Sequence, residues 1–264
     1  SEVTSFPKKG KHSSLNRTFD EDGTYDITFT AKDRAGNVAK SEKISFSVDR
    51  TNPEIQITGT SNYEQWDRPV TVRFAVEESY YTGNHITIQG TRQDINGNVE
   101  ELELPAISNA AKLSSLIQTF SKDGIYHFAI SAKDEAGNQD EKEIHFILDQ
   151  TRPEIHKVAQ YQGGYYQEFK VADTLEEVFK DLTVVSYRIL LNGMEYDGVT
   201  PVTEEGKYNL SVEVQDELGH KSTENVEFII DHTAPKVIFT GVKEGQTVTE
   251  SGSVILSLTN PEDE

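Results

Sequence analysis

Hydrophobic and polar positions alternate with a period of two along most of this chain. Near the N-terminus Tyr25, Ile27, Phe29 and Ala31 fall on one face, with Asp26, Thr28, Thr30 and Lys32 on the other. Further on, Tyr126, Phe128, Ile130 and Ala132 alternate in the same way, and Tyr208, Leu210, Val212 and Val214 form a third set. Each set is followed, after a polar break, by a second: Ile44, Phe46 and Val48, then Ile144, Phe146 and Leu148, then Val226, Phe228 and Ile230. Alternation of this kind turns one side of a strand to a core and the other to water, so it predicts half-buried antiparallel strands. One stretch departs from it. TLEEVFKDL, at 174–182, sets Leu175, Val178, Phe179 and Leu182 at helical spacing, with Thr174 and Glu177 placed for a capping box. It predicts a short helical crossover.

The alternation belongs to a repeat. Residues 11–37 and 112–138 align without a gap and agree at 15 of 27 positions, and a more divergent copy runs from 203 to 220. Three copies make this a tandem array. The polar break reads DRAGN at 33–37, DEAGN at 134–138 and DELGH at 216–220. An Asp that hydrogen-bonds forward, followed by a Gly able to take positive φ, is a hairpin turn, which gives Gly36, Gly137 and Gly219 structural roles. In the third copy Leu218 and His220 stand in place of Ala and Asn, which weakens the turn match. Asn96-Gly97 and Asn192-Gly193 are further hairpin signals. Each unit closes on Asp-x-Thr-x-Pro, with Pro53, Pro153 and Pro235 giving stiff, extended linkers.

Tyr25, Tyr126 and Tyr208 each follow a Gly by two residues and precede a core position by two. This is the place of the tyrosine corner in immunoglobulin-type sandwiches, whose hydroxyl bonds back to nearby backbone; an apolar residue here stands where those domains carry a cysteine. With the turn and the linker motif, the sequence resembles the immunoglobulin-like repeat domains of bacterial cell-surface and exported proteins. The resemblance implies an all-β protein of tandem immunoglobulin-like β-sandwich modules in an elongated array. The expected boundaries are 1–51 for the C-terminal part of one module, 52–151 and 152–233 for two complete modules, and 234–264 for the N-terminal part of another. Segment 1–51, as half a sandwich, is expected to be poorly supported on its own.

Composition narrows the function. The chain has 264 residues, 45 acids against 25 bases, and a formal charge of −20. Such a surface repels phosphate backbones and anionic lipid, so no nucleic-acid partner and no membrane insertion are expected. No cysteine is present, which excludes disulfides and thiol chemistry. No nucleophile elbow, phosphate-binding loop or dinucleotide fingerprint occurs, and no enzyme activity or catalytic residue is expected.

Aromatic loops are the best pointers to a partner. Trp66 lies in NYEQW, Tyr161, Tyr165 and Tyr166 lie in YQGGYYQE, and Tyr80 and Tyr81 lie in EESYYTGN. Such rings stack on sugars or anchor protein interfaces, while their recurrence at one position in two units favours packing between modules. If the second turn centres on Ala136, His127 faces His145 across the strand pair, and two ligands alone make a weak zinc site. Lys170 in FKV is expected on a solvent face. Calcium at the module junctions is the one cofactor considered: the linkers bring Asp49, Asp149 and Asp231, with Asp33, Asp134 and Asp216 as neighbours. No dense acidic loop supports it, and no metal ligand is assigned. The expected role is a non-catalytic stalk, spacer or adhesive segment, extracellular or at the bacterial cell surface, with neighbouring modules and a host or matrix protein or glycan as partners. The alternative is an accessory carbohydrate- or protein-binding module of an exported carbohydrate-active enzyme.

Overall fold

A computed structural model describes residues 14–183, 185–248 and 251–259. They fall into two compact units, Ser1–Asp149 and Gln150–Glu264. The architecture is all-β, of immunoglobulin-like β-sandwich type.

In the first unit, strand Gly23–Ile27 pairs antiparallel with Ile44–Val48, and Thr30–Lys32 with Val38–Lys40. On and between these strands Ile27, Phe29, Val38 and Ile44 remain exposed. The sandwich that follows has two sheets. One orders Leu113–Phe120, Val70–Glu77 and Glu54–Thr58; the other orders Glu64–Trp66, Gln139–Leu148, Gly124–Lys133, His85–Gln93 and Val99–Glu101. All neighbours are antiparallel except Glu64–Trp66, which runs parallel to Gln139–Leu148.

The alternating sets meet in the middle of this sandwich. Val70, Val72, Phe74 and Val76 come from the smaller sheet, and Tyr126, Phe128, Ile130, Ile144, Phe146 and Leu148 from the larger. The rings of Phe74 and Phe128 lie 5.2 Å apart across the sheets, and those of Phe128 and Phe146 6.0 Å apart along one. Gly90 has a packing reason: a Cβ there would lie 2.4 Å from the Phe128 ring. The sheets are also tied at an edge, where Asp140 Oδ2 accepts from the Ile55 amide (3.2 Å) and Lys142 Nζ donates to the Ile55 carbonyl.

The second unit has one full sheet, ordered Tyr165–Tyr166, Lys221–Ile230, Gly206–Gln215, Ser186–Leu191 and Met194–Glu195. Its opposite layer is sparse: strand Glu154–Ile155 pairs with Phe179–Lys180, and Phe169 bridges to Val202. Val158, Phe169, Val171, Val178, Leu210, Val212, Val226, Phe228 and Ile230 close its core. Lys236–Thr240 and Ile255–Thr259 form a separate hairpin-like pair.

The helical crossover expected at 174–182 does not form. Leu175–Glu177 makes a single 3-10 turn, and Thr174 makes no side-chain capping bond. Nine residues are too few to hold an isolated helix. The chain gains more by burying Val178, whose carbonyl accepts from the His156 amide at 2.7 Å, and by pairing Phe179–Lys180 as a strand.

Candidate functional site

The turn carboxylates are built into backbone. In DEAGN, Asp134 Oδ1 accepts from the Gly137 and Asn138 amides at 2.7 and 2.8 Å, and its Oδ2 accepts from Asn138 Nδ2 at 2.8 Å. DRAGN repeats the bonds between Asp33 and Asn37. A further copy escaped the sequence reading. DINGN, at 94–98, makes the same bonds between Asp94 and Asn98 in a different hairpin. The third repeat keeps the geometry despite its changed sequence: Asp216 Oδ1 accepts from the His220 amide at 2.8 Å, and its Oδ2 sits 2.7 Å from His220 Nδ1. A carboxylate only accepts, so Nδ1 is the protonated nitrogen and does the work of the Asn amide. These bonds hold the Asp33 and Asp94 carboxyls below their ordinary range, with the Asn side chain as the largest cause. Gly36 and Gly137 have φ of 97° and 99° with open space around them, so the turn requires Gly for its backbone and not for room.

The three corner tyrosines share one bond. Tyr25 donates to the Glu21 carbonyl (2.8 Å), Tyr126 to Lys122 (2.6 Å) and Tyr208 to Glu204 (2.8 Å). Each ring stacks on the Phe of the neighbouring strand, Phe46, Phe146 or Phe228. Burial pushes the Tyr126 hydroxyl up to about 12. Of the linker prolines, Pro53 and Pro153 are buried and Pro235 is exposed.

The recurring aromatic loops share a backbone device. Tyr63 and Gly163 take positive φ, 62° and 70°, and their amides donate to the carbonyls of His145 and Glu227. Just before them Asn62 Oδ1 and Gln162 Oε1 accept the amides of the same two residues, at 2.9 and 3.0 Å. The following residues then add a short parallel strand: Trp66 opposite Leu148, Tyr166 opposite Ile230. Trp66 packs on its own module's core, its indole N–H donates to Thr60 Oγ1 at 3.0 Å, and the Arg68 guanidinium lies 5.6 Å from its ring. Tyr161 and Tyr166 pack on the second unit's core, and the Tyr161 hydroxyl donates to the Val171 carbonyl at 2.8 Å. Burial raises the Tyr166 hydroxyl above its ordinary value. Tyr165 points the other way. It is 67% exposed and borders an open groove of about 430 Å³ with Asn192, Lys207, Asn209 and Glu227. Tyr80 and Tyr81 are half-buried beside strand Val70–Glu77. Lys170 is exposed and paired with Asp173 at 2.5 Å.

Two clusters in the first unit have metal-ligand character. His127 and His145 are cross-strand partners with parallel rings 4.2 Å apart, and Glu143 lies 3.6 Å from His127 Nε2. Tyr63 stacks on the outer side of His145 at 5.3 Å. The second cluster is wholly acidic: Asp49, Glu78 and Asp134 bring carboxylate oxygens within 4.8 Å of one another. Asp49 follows strand Ile44–Val48, Glu78 follows Val70–Glu77, and Asp134 opens the DEAGN turn. Asn138 locks the arrangement, since its Nδ2 also donates to the Asp49 carbonyl at 3.2 Å. Glu78 was not among the acids singled out in the sequence. Its only local sign is a second acid ending an apolar strand, and the strand's burial shows only in three dimensions.

No family model and no curated protein sequence matches this chain. Among solved structures it is similar to extracellular cadherin domains 3–6 of protocadherin gamma B2, at 12% identity and a TM-score of 0.33, over 84% of this chain and 61% of that one. It is also similar to the EC1–4 segment of Drosophila N-cadherin, at 10% identity and a TM-score of 0.30, over 81% and 59%. The Ig1–2 module of the Drosophila receptor protein tyrosine phosphatase DLAR matches at 11% identity and a TM-score of 0.23, over 69% of this chain and all of that one. The chain thus spans about three fifths of these cadherin fragments.

Proposed function

We propose that this chain is a non-catalytic spacer or adhesive segment of a bacterial surface or secreted multi-domain protein. One observation supports the reading above others. The side chains that carry chemistry elsewhere here hold their own backbone: the turn aspartates, the corner tyrosines, Asn62 and Gln162. A chain free of cysteine thereby secures each hairpin and corner by local hydrogen bonds, which suits a module whose task is to keep its shape. Its acidic surface favours solubility and disfavours nucleic acid, and among the described residues no helix is long and apolar enough to cross a membrane. Small-angle scattering of the full chain is expected to give an extended particle, and a compact particle would contradict the spacer role.

A second reading has one observation in its favour. Tyr165 presents its ring over a polar groove, the arrangement by which an accessory module stacks on a sugar. Glycan-array binding lost in Tyr165→Ala would establish it; an array without signal removes it. Trp66 is the weaker candidate, because its N–H and much of its ring are already engaged.

A further inference from the structure

We propose that Asp49, Glu78 and Asp134 form a calcium site in the first unit. The cluster draws on three places far apart in sequence: the linker into the sandwich, the loop after strand Val70–Glu77 and the DEAGN turn. Two of the three acids are almost wholly shielded, Glu78 at 3% and Asp134 at 5% exposure. Burying like charges this close is strongly unfavourable unless something positive joins them. Among the described residues, none of the ion pairs includes any of the three.

The hydrogen bonds leave one buried oxygen over. Asp134 uses both oxygens on the turn, and Asp49 Oδ1 accepts from the Thr51 amide at 3.1 Å. Glu78 Oε1 accepts from the Tyr80 amide at 3.0 Å. Glu78 Oε2 is buried and accepts from nothing. A buried carboxylate oxygen without a donor, next to two more carboxylates, is a ligand set for a cation and not a satisfied structural group.

The donors identify the cation. All are hard oxygens, without the nitrogen or sulfur that zinc prefers. They lie within 4.8 Å of one another, close enough for one ion to reach all three, and calcium accepts several protein carboxylates in flexible geometry whereas magnesium keeps most of its water. Three formal negative charges favour a divalent ion. Bound there, calcium joins the linker carboxylate to the loop and turn at one end of the sandwich and fixes the path of the chain that enters it. The inference stands whether the chain acts as spacer or as glycan binder.

The test uses the full chain, stripped with chelator and titrated with calcium chloride or magnesium chloride in a calorimeter, with thermal unfolding followed through the single tryptophan. Trp66 lies in the same unit, so its fluorescence reports on the fold that carries the site. Calcium is expected to bind, to raise the midpoint of the Trp66 transition, and to do both better than magnesium. Glu78→Gln is expected to remove one bound ion or weaken it at least tenfold, and the chelator should no longer lower its midpoint. Should Glu78→Gln not fold, Asp49→Asn carries the test, since that side chain is only half-buried. A wild-type chain indifferent to calcium, or variants with unchanged stoichiometry and affinity, overturns the proposal.

Discussion

The corner tyrosine shows how one side chain replaces a covalent link. Its ring fills the core beside a Phe, and its hydroxyl satisfies a carbonyl four residues back, so the turn into the strand is fixed from both ends. Tyr126→Phe keeps the ring and leaves the Lys122 carbonyl without its partner, a loss expected to lower stability by about 1–2 kcal/mol. Tyr208→Phe should lose less, because its corner is more open to water. Denaturant midpoints, read by Trp66 fluorescence for the first and by circular dichroism for the second, check both. The same hydroxyl sets an alkaline limit. Folded Tyr126 ionises only near 12, whereas the unfolded phenol does so near 10. Between these values the unfolded chain releases its proton first, so stability is fully present below pH 10 and falls as pH rises toward 12. Tyr126→Phe is expected to flatten that part of the stability profile.

At the scale of the element, the five-residue turn is a unit that tolerates one kind of change and not another. Its Gly is held at φ near 100°, where any other residue is strained. Gly137→Ala meets no atom within 4 Å, so its expected loss, about 1–2 kcal/mol, comes from the backbone alone. The last position needs only a side-chain N–H at the right reach. His220→Asn should therefore leave the second unit's denaturant midpoint nearly unchanged, while His220→Ala leaves buried Asp216 short of a donor and should cost about 1–3 kcal/mol. Equal losses in the two variants would mean that the imidazole packs and does not bond.

At the scale of the whole molecule the charge dominates. With 45 acids and 25 bases, repulsion opposes compaction everywhere on the surface, and salt screens it. Raising sodium chloride from low ionic strength to about 0.2 M is expected to raise the unfolding midpoint modestly, with no further gain once the Debye length drops below about 8 Å. Calcium at matched ionic strength should add to this through the first unit. Thermal scans in sodium and calcium chloride at equal ionic strength separate general screening from a specific site.

The sequence by itself determined what depends on neighbours along the chain. Period-two alternation fixes which residues face inward, and Asp and Gly at fixed spacing fix each hairpin, because every partner in the turn lies within five residues. From the turn centre the register follows, and with it the pairing of His127 with His145. The all-β, immunoglobulin-like fold was legible for that reason. Tertiary structure decided what depends on residues brought together from a distance. Helical spacing at 174–182 gave way to a strand pair and a buried Val178, since packing outweighs the propensity of so short a segment. Tyr165 was left open over a groove, while the same parallel strands turned Trp66 and Tyr166 toward the core. Glu78 met Asp49 and Asp134 through the folding of loops with no local signature in common, so the acidic cluster could be seen only in the folded chain.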